Sequence, residues 1–114
     1  MSLKQILKTL MDLGLSRTDA EVYLFLATKA PQKATDIASA LKMKNQQLYS
    51  SLRNLKNKGI INCTSEQPKL FSAVPVEEAL SSFINANLKE AQQMEKNKKK
   101  ILSFWQAMMK ENRG

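Results

Sequence analysis

Histidine is absent from this 114-residue chain, and cysteine occurs once, at Cys63. A zinc module needs three or four Cys, His or carboxylate ligands, so that class is excluded. A disulfide within the chain is impossible, and Ser-His and Cys-His catalysis lack their base. The three glycines, Gly14, Gly59 and Gly114, lie in no phosphate-cradling motif. The ten acidic residues are scattered, which argues against a metal-dependent nucleic-acid enzyme. No apolar run approaches the roughly 18 residues that a membrane span requires. The N-terminus shows no secretory h-region with a cleavage site. The expectation is a cytoplasmic protein that is not an enzyme, with no membrane association, no cofactor, no metal and no small-molecule ligand.

What the chain does carry is positive charge: 18 Lys and Arg against 10 Asp and Glu, a net +8. That balance suggests a polyanionic partner. A hydrophobic fraction of 43% is enough to build a core. Leu3, Ile6, Leu7, Leu10 and Leu13 recur at helical spacing, predicting a helix over 2–13 that ends at Gly14. Ser16 and Asp19 read as a reciprocal capping box for a helix over 17–29. In that helix Ala20, Tyr23, Leu24 and Ala27 mark one face and Val22 and Leu26 another, the pattern of a central helix with Tyr23 in the core. Pro31 to Ala34 form a connector able to hold a short strand. Thr35 is the expected N-cap of a helix over 36–41, with Ile37, Ala38 and Leu41 inward. Lys42-Met43-Lys44 is a turn, and Asn45 the expected N-cap of a helix reaching Lys58. Residues 60–64 and 69–74 read as the strands of a β-hairpin, with Cys63 a small buried apolar residue. Pro75, Glu77 and Glu78 open a helix that nothing breaks before about residue 112.

Two helices joined by a tight turn at 42–44, the second carrying a single apolar stripe of Leu48, Leu52 and Leu55, form a helix-turn-helix. The hairpin that follows makes it a winged helix. The expected fold class is mainly α with a small β-hairpin (α+β): a winged helix-turn-helix domain over 1–75, then a long C-terminal, coiled-coil-like dimerisation helix over 76–114. Opposite the leucines stand Gln46, Gln47, Ser50 and Arg53, candidates for base contacts, because Gln pairs bidentately with adenine and Arg with guanine. Residues 42–58 hold five basic residues and no acid, a bias that phosphate contacts explain. The backbone-contact candidates are Thr35, Lys42, Lys44, Asn45, Tyr49, Asn54, Gln67 and Lys69. Leu80, Ile84, Leu88, Ala91, Met94, Ile101, Leu102, Trp105 and Met108 are the dimerisation candidates, since a projecting helix cannot bury this stripe within its own chain. Lys96 to Lys100 read as a solvated face.

Several segments resemble the archaeal TrmB-like transcriptional regulators. Gly14-Leu15-Ser16 with Ala20-Glu21-Val22-Tyr23 is similar to the family's opening. Thr35-Asp36-Ile37-Ala38 is similar to its helix-turn-helix start. Leu48-Tyr49, Leu52-Arg53-Asn54-Leu55 and Lys58-Gly59-Ile60-Ile61 resemble its recognition helix and first wing strand. Phe71-Ser72-Ala73-Val74-Pro75 with Glu78-Ala79-Leu80 resembles its exit from the wing. The resemblance implies a short, single-domain, double-stranded-DNA-binding homodimer related to MarR-type winged helices, without the sugar-binding effector domain that many members carry. The alternative is a protein-interaction winged helix in a multi-subunit complex that reads no DNA.

Overall fold

Caps and breakers set the element boundaries in the computed structural model, which describes residues 2–113; Gly114 lies outside the described residues. Helix α1 (Leu3–Asp12) opens on a capping box in which Ser2 and Gln5 each bond the other's backbone N–H. It closes where Gly14 takes φ +116°, a conformation that only glycine adopts without strain. Helix α2 (Arg17–Ala27) is capped by Ser16, whose hydroxyl accepts from the Asp19 N–H at 3.1 Å. Only half of the expected capping box forms, because the Asp19 carboxylate turns inward instead. The helix ends at Ala27, two residues short of the expected 29; the Thr28 hydroxyl donates to the Phe25 carbonyl there.

Gln32 and Phe71 exchange two backbone hydrogen bonds, at 3.1 and 2.8 Å, giving the short strand pairing anticipated after Pro31. Helix α3 (Ala34–Leu41) begins as soon as that pairing ends, so Lys33 is the N-cap and Thr35 lies inside the first turn. Thr35 is therefore not the cap. Lys42 closes α3 in the left-handed region, at φ 54°. In helix α4 (Asn45–Asn57) the Leu48 N–H bonds the Lys44 carbonyl at 3.0 Å, so Lys44 occupies the N-cap and Asn45 is the first helical residue rather than the cap. Strands β1 (Ile61–Cys63) and β2 (Phe71–Ala73) pair antiparallel, Ile61 with Ala73 and Cys63 with Phe71. Helix α5 (Val76–Arg113) follows, with Glu77 and Glu78 in its first turn, where the helix dipole favours negative charge.

The chain divides into two compact units, Met1–Ser82 and Phe83–Gly114. In the first, α2 is central and packs on α1, α4 and β2. Its Ala20, Val22, Tyr23 and Leu26 are buried, while Leu24 is half-buried and Ala27 exposed. Leu48, Leu52 and Leu55 of α4 are buried, each side chain contributing about 2 kcal/mol on leaving water. Two polar groups enter this core with partners. The buried Ser51 hydroxyl donates to the buried Asp19 carboxylate at 2.5 Å, tying α4 to α2. The Tyr23 hydroxyl donates to the Val74 carbonyl at 2.7 Å, tying α2 to the end of the wing. Cys63 is half-buried rather than buried, with Sγ 3.3 Å from the Thr64 carbonyl at the edge of the wing. Within the first unit Ala79 is buried, and the half-buried Leu80 lines an apolar cleft of about 390 Å³ with Leu3, Ile6, Leu10 and Leu24. No helix among the described residues is long and apolar enough to cross a membrane.

Two measurements test this core. Ser51→Ala leaves a carboxylate buried without its donor and is expected to cost about 1–3 kcal/mol in urea unfolding. Adding Asp19→Ala to it should cost less than the sum of the two single changes; strict additivity would show that the pair is not coupled. Burial pushes the Tyr23 phenol above its ordinary pKa. The folded protein then holds this proton more tightly than the unfolded chain, so the contribution is full below pH ~10 and is lost as pH rises through the raised value. Tyr23→Phe should remove that alkaline fall and lower stability at neutral pH by about 1 kcal/mol, because the Val74 carbonyl loses its donor.

Candidate nucleic-acid interface

Helix α4 has two chemically distinct sides because its leucines recur at helical spacing and its amides fall between them. With Leu48, Leu52 and Leu55 inside, Gln46, Gln47, Ser50 and Arg53 are all exposed. Asn45, Tyr49 and Asn54 are exposed on the same helix, and Lys42 and Lys44 are exposed in the turn before it. The left-handed Lys42 ends α3 abruptly, so both lysines sit at the mouth of α4. Thr35 is exposed in the first turn of α3. Gln67 and Lys69 are exposed on the loop between β1 and β2, whose base is closed by the Thr64 N–H and hydroxyl bonding the Leu70 backbone at 3.0 and 2.9 Å.

The packing of α2 on α4 adds residues that the sequence pattern did not reveal. Ser16 and Thr18, the N-cap and a first-turn residue of α2, line one groove of about 460 Å³ together with Lys44, Gln46, Gln47, Ser50 and Asn54. Asp19 and Ser51 form its floor. Ser16 had a local signal, its place before an amphipathic helix, but that signal reports a cap and not a neighbour. Only the fold brings the start of α2 beside α4. The result is a groove of amides and hydroxyls with Lys44 in its lining, on a helix that also exposes Arg53, and residues 42–58 hold no acid. Amides and guanidinium groups read base edges, and lysines neutralise phosphates. Among the described residues no cluster of acids and cysteine is suited to hold a metal ion.

The apolar residues of α5 stand apart. Ile84, Leu88, Ala91, Met94, Ile101, Leu102, Trp105 and Met108 all lie in the second unit and are exposed, with Trp105 at 56% and Leu88 at 57%. Leu80 does not join them, since it lies in the first unit and is half-buried there. Lys96, Lys98, Lys99 and Lys100 are exposed as well.

Among the described residues, five helices with a two-stranded antiparallel wing after the helix-turn-helix define a winged helix-turn-helix protein with a long C-terminal helix. Residues 10–77 match the model of the family described as sugar-specific transcriptional regulator TrmB, and the chain belongs to that family. It is 26% identical over 93 residues to the HTH-type sugar sensing transcriptional regulator TrmBL1 of Pyrococcus furiosus, covering 82% of this chain and 27% of that protein. The chain thus spans about a quarter of the length of this curated relative. Among solved structures it is similar to TrmBL2, an archaeal chromatin protein described as showing a novel mode of DNA binding. The TM-score is 0.82 at 21% identity, covering 96% of this chain and 42% of the other. It is also similar to the ST1889 protein of Sulfolobus tokodaii, with a TM-score of 0.66 at 17% identity over 82% of this chain and 99% of the other. At these identities the two structures establish the fold.

Proposed function

We propose that this protein is a sequence-specific, double-stranded-DNA-binding transcriptional regulator that acts as a homodimer in the cytoplasm. Residues 1–75 are its DNA-binding part and residues 76–114 its dimerisation helix. The observation that carries the reading is the two-sided α4: three leucines buried, and Gln46, Gln47, Ser50 and Arg53 exposed on an acid-free segment. In the proposed complex α4 enters the major groove. Gln46, Gln47, Ser50 and Arg53 reach base edges. Thr35, Lys42, Lys44, Asn45, Tyr49 and Asn54 hold the flanking backbone, with the Ser16 and Thr18 hydroxyls beside them. Gln67 and Lys69 bring the wing to the adjoining phosphates. Two such helices in successive major grooves, about one turn of DNA apart, read a pseudo-palindrome. A dimer bound near a promoter then regulates by occupancy, excluding or recruiting the transcription machinery. The likeness to TrmBL2, itself described as binding DNA, supports the choice of partner.

The exposed apolar row of α5 favours one second reading, a winged helix that joins a multi-subunit complex through that helix and reads no DNA. Duplex binding separates the two. Six to ten phosphate contacts predict that log affinity falls with log salt at a slope of roughly −5 to −9. A flat response would remove the electrostatic premise and favour the assembly reading. Selection of bound duplexes from a random pool should return paired half-sites. Gln47→Ala is expected to relax base choice at one position of each half-site at a cost of about 1–3 kcal/mol, whereas Lys44→Ala should weaken specific and random duplexes alike. Equal losses on both kinds of duplex for Gln47→Ala would contradict its assigned role.

A further inference from the structure

The apolar row of α5 belongs to a longer heptad seam, and two of its eight positions are charged. Ile84, Leu88, Ala91, Glu95, Lys98, Leu102, Trp105 and Met109 follow one another in alternating steps of four and three, the repeat of a two-stranded coil. All eight lie in the second unit and are exposed. The seam is symmetric about a point between Lys96 and Asn97. Reversing the chain about that point lays Glu95 on Lys98, Ala91 on Leu102, Leu88 on Trp105 and Ile84 on Met109.

We propose that this face binds a second copy of the chain in antiparallel orientation, with that point as the centre of the dimer. The proposal deepens the homodimer part of the reading above and rests on it. In an antiparallel pair each of the two alternating core positions packs opposite the other kind, which the reversed seam satisfies in every layer. The middle of the dimer then holds two reciprocal pairs, Glu95 with the partner's Lys98 and Lys98 with the partner's Glu95. Outside them come a small residue against a leucine, a leucine against tryptophan and isoleucine against methionine. A parallel pair would instead set Glu95 on Glu95 and Lys98 on Lys98 in neighbouring layers, burying like charges together.

The flanks of the seam favour the same orientation independently. One flank carries Asn87 and then the apolar Met94, Ile101 and Met108, and the other carries the polar Asn85, Gln92, Lys99 and Gln106. Antiparallel helices set like flanks side by side, so Met94 meets the partner's Ile101 while Gln92 meets the partner's Lys99. Parallel helices would set the apolar flank of each copy against the polar flank of the other. The antiparallel arrangement therefore also accounts for why Met94, Ile101 and Met108 are apolar and exposed in the single chain.

Spin labels placed singly at residues 85, 99 and 106, in a Cys63→Ser background, test the orientation in the full chain, because all three lie on one flank. Antiparallel pairing about the proposed centre predicts label separations near 35 Å at residue 85 and near 28 Å at residue 106, with a minimum below about 15 Å at residue 99. Equal separations at all three positions would overturn the antiparallel proposal and leave the homodimer standing. A chain that sediments as a monomer and gives no dipolar signal would overturn both. A charge exchange supplies a second readout. Glu95→Lys should weaken dimerisation at least tenfold, and adding Lys98→Glu should restore it. A change below about threefold, the size of a neighbouring charge pair within one helix, would count against the facing pairs.

Discussion

The leucine seam of α4 is the constraint on which the rest of the molecule depends. Leu48, Leu52 and Leu55 are buried against α2, α3 and β1, and this fixes the rotation of α4 about its own axis. Every polar side chain between the leucines except Ser51 is thereby placed outward. Apolar contacts alone would tolerate some slip of this helix, since burial has little directional preference. The Ser51–Asp19 bond removes that freedom. It is directional, buried and made once, and a small rotation of α4 would strand a carboxylate in the core. The exposed amides inherit their orientation from this pair.

The same economy governs the wing. Strands of three residues each are too short to be stable as an isolated hairpin. They are held because Phe71 pairs with Gln32 through two backbone hydrogen bonds, and because the Tyr23 hydroxyl takes the Val74 carbonyl at the wing's exit. The central helix thus anchors both α4, through Asp19, and the wing, through Tyr23. Residues four apart on α2 set the positions of the two surfaces proposed to meet DNA.

Much of this was legible in the sequence, because it depends on local periodicity. The leucine steps of four and three, the glycines after α1 and α4, and the β-branched run after Gly59 each announce an element by short-range physics. The misreadings share a cause. Thr35 and Asn45 are good caps by residue type, yet α3 starts earlier because strand pairing at Gln32 leaves Lys33 extended, and α4 starts from the Lys44 carbonyl. Asp19 looks like a local cap partner, but a hydroxyl 32 residues away takes its carboxylate. Ser16 and Thr18 join the α4 surface for the same reason. At Thr35 and Asp19, tertiary contacts override a cap propensity worth about 1 kcal/mol. None of those contacts leaves a mark at short sequence separation.

The two halves of the chain also divide the energetic tasks differently. In the proposed DNA complex, lysines would supply affinity that any phosphate backbone can satisfy, so discrimination would rest on the few amides and Arg53 at base edges. One such helix reads too few bases to find a site among many competitors, and pairing two copies multiplies the discrimination. The α5 seam bears on how that pairing is specified. An all-apolar seam would associate more strongly but would accept either orientation and several registers. In the proposed antiparallel dimer, Glu95 and Lys98 sacrifice hydrophobic burial at the middle of the seam, and in return that one orientation satisfies both charges while the others leave them opposed or unpaired. Interrupting the apolar stripe at Lys98 is, on this view, how the sequence selects its own partner geometry.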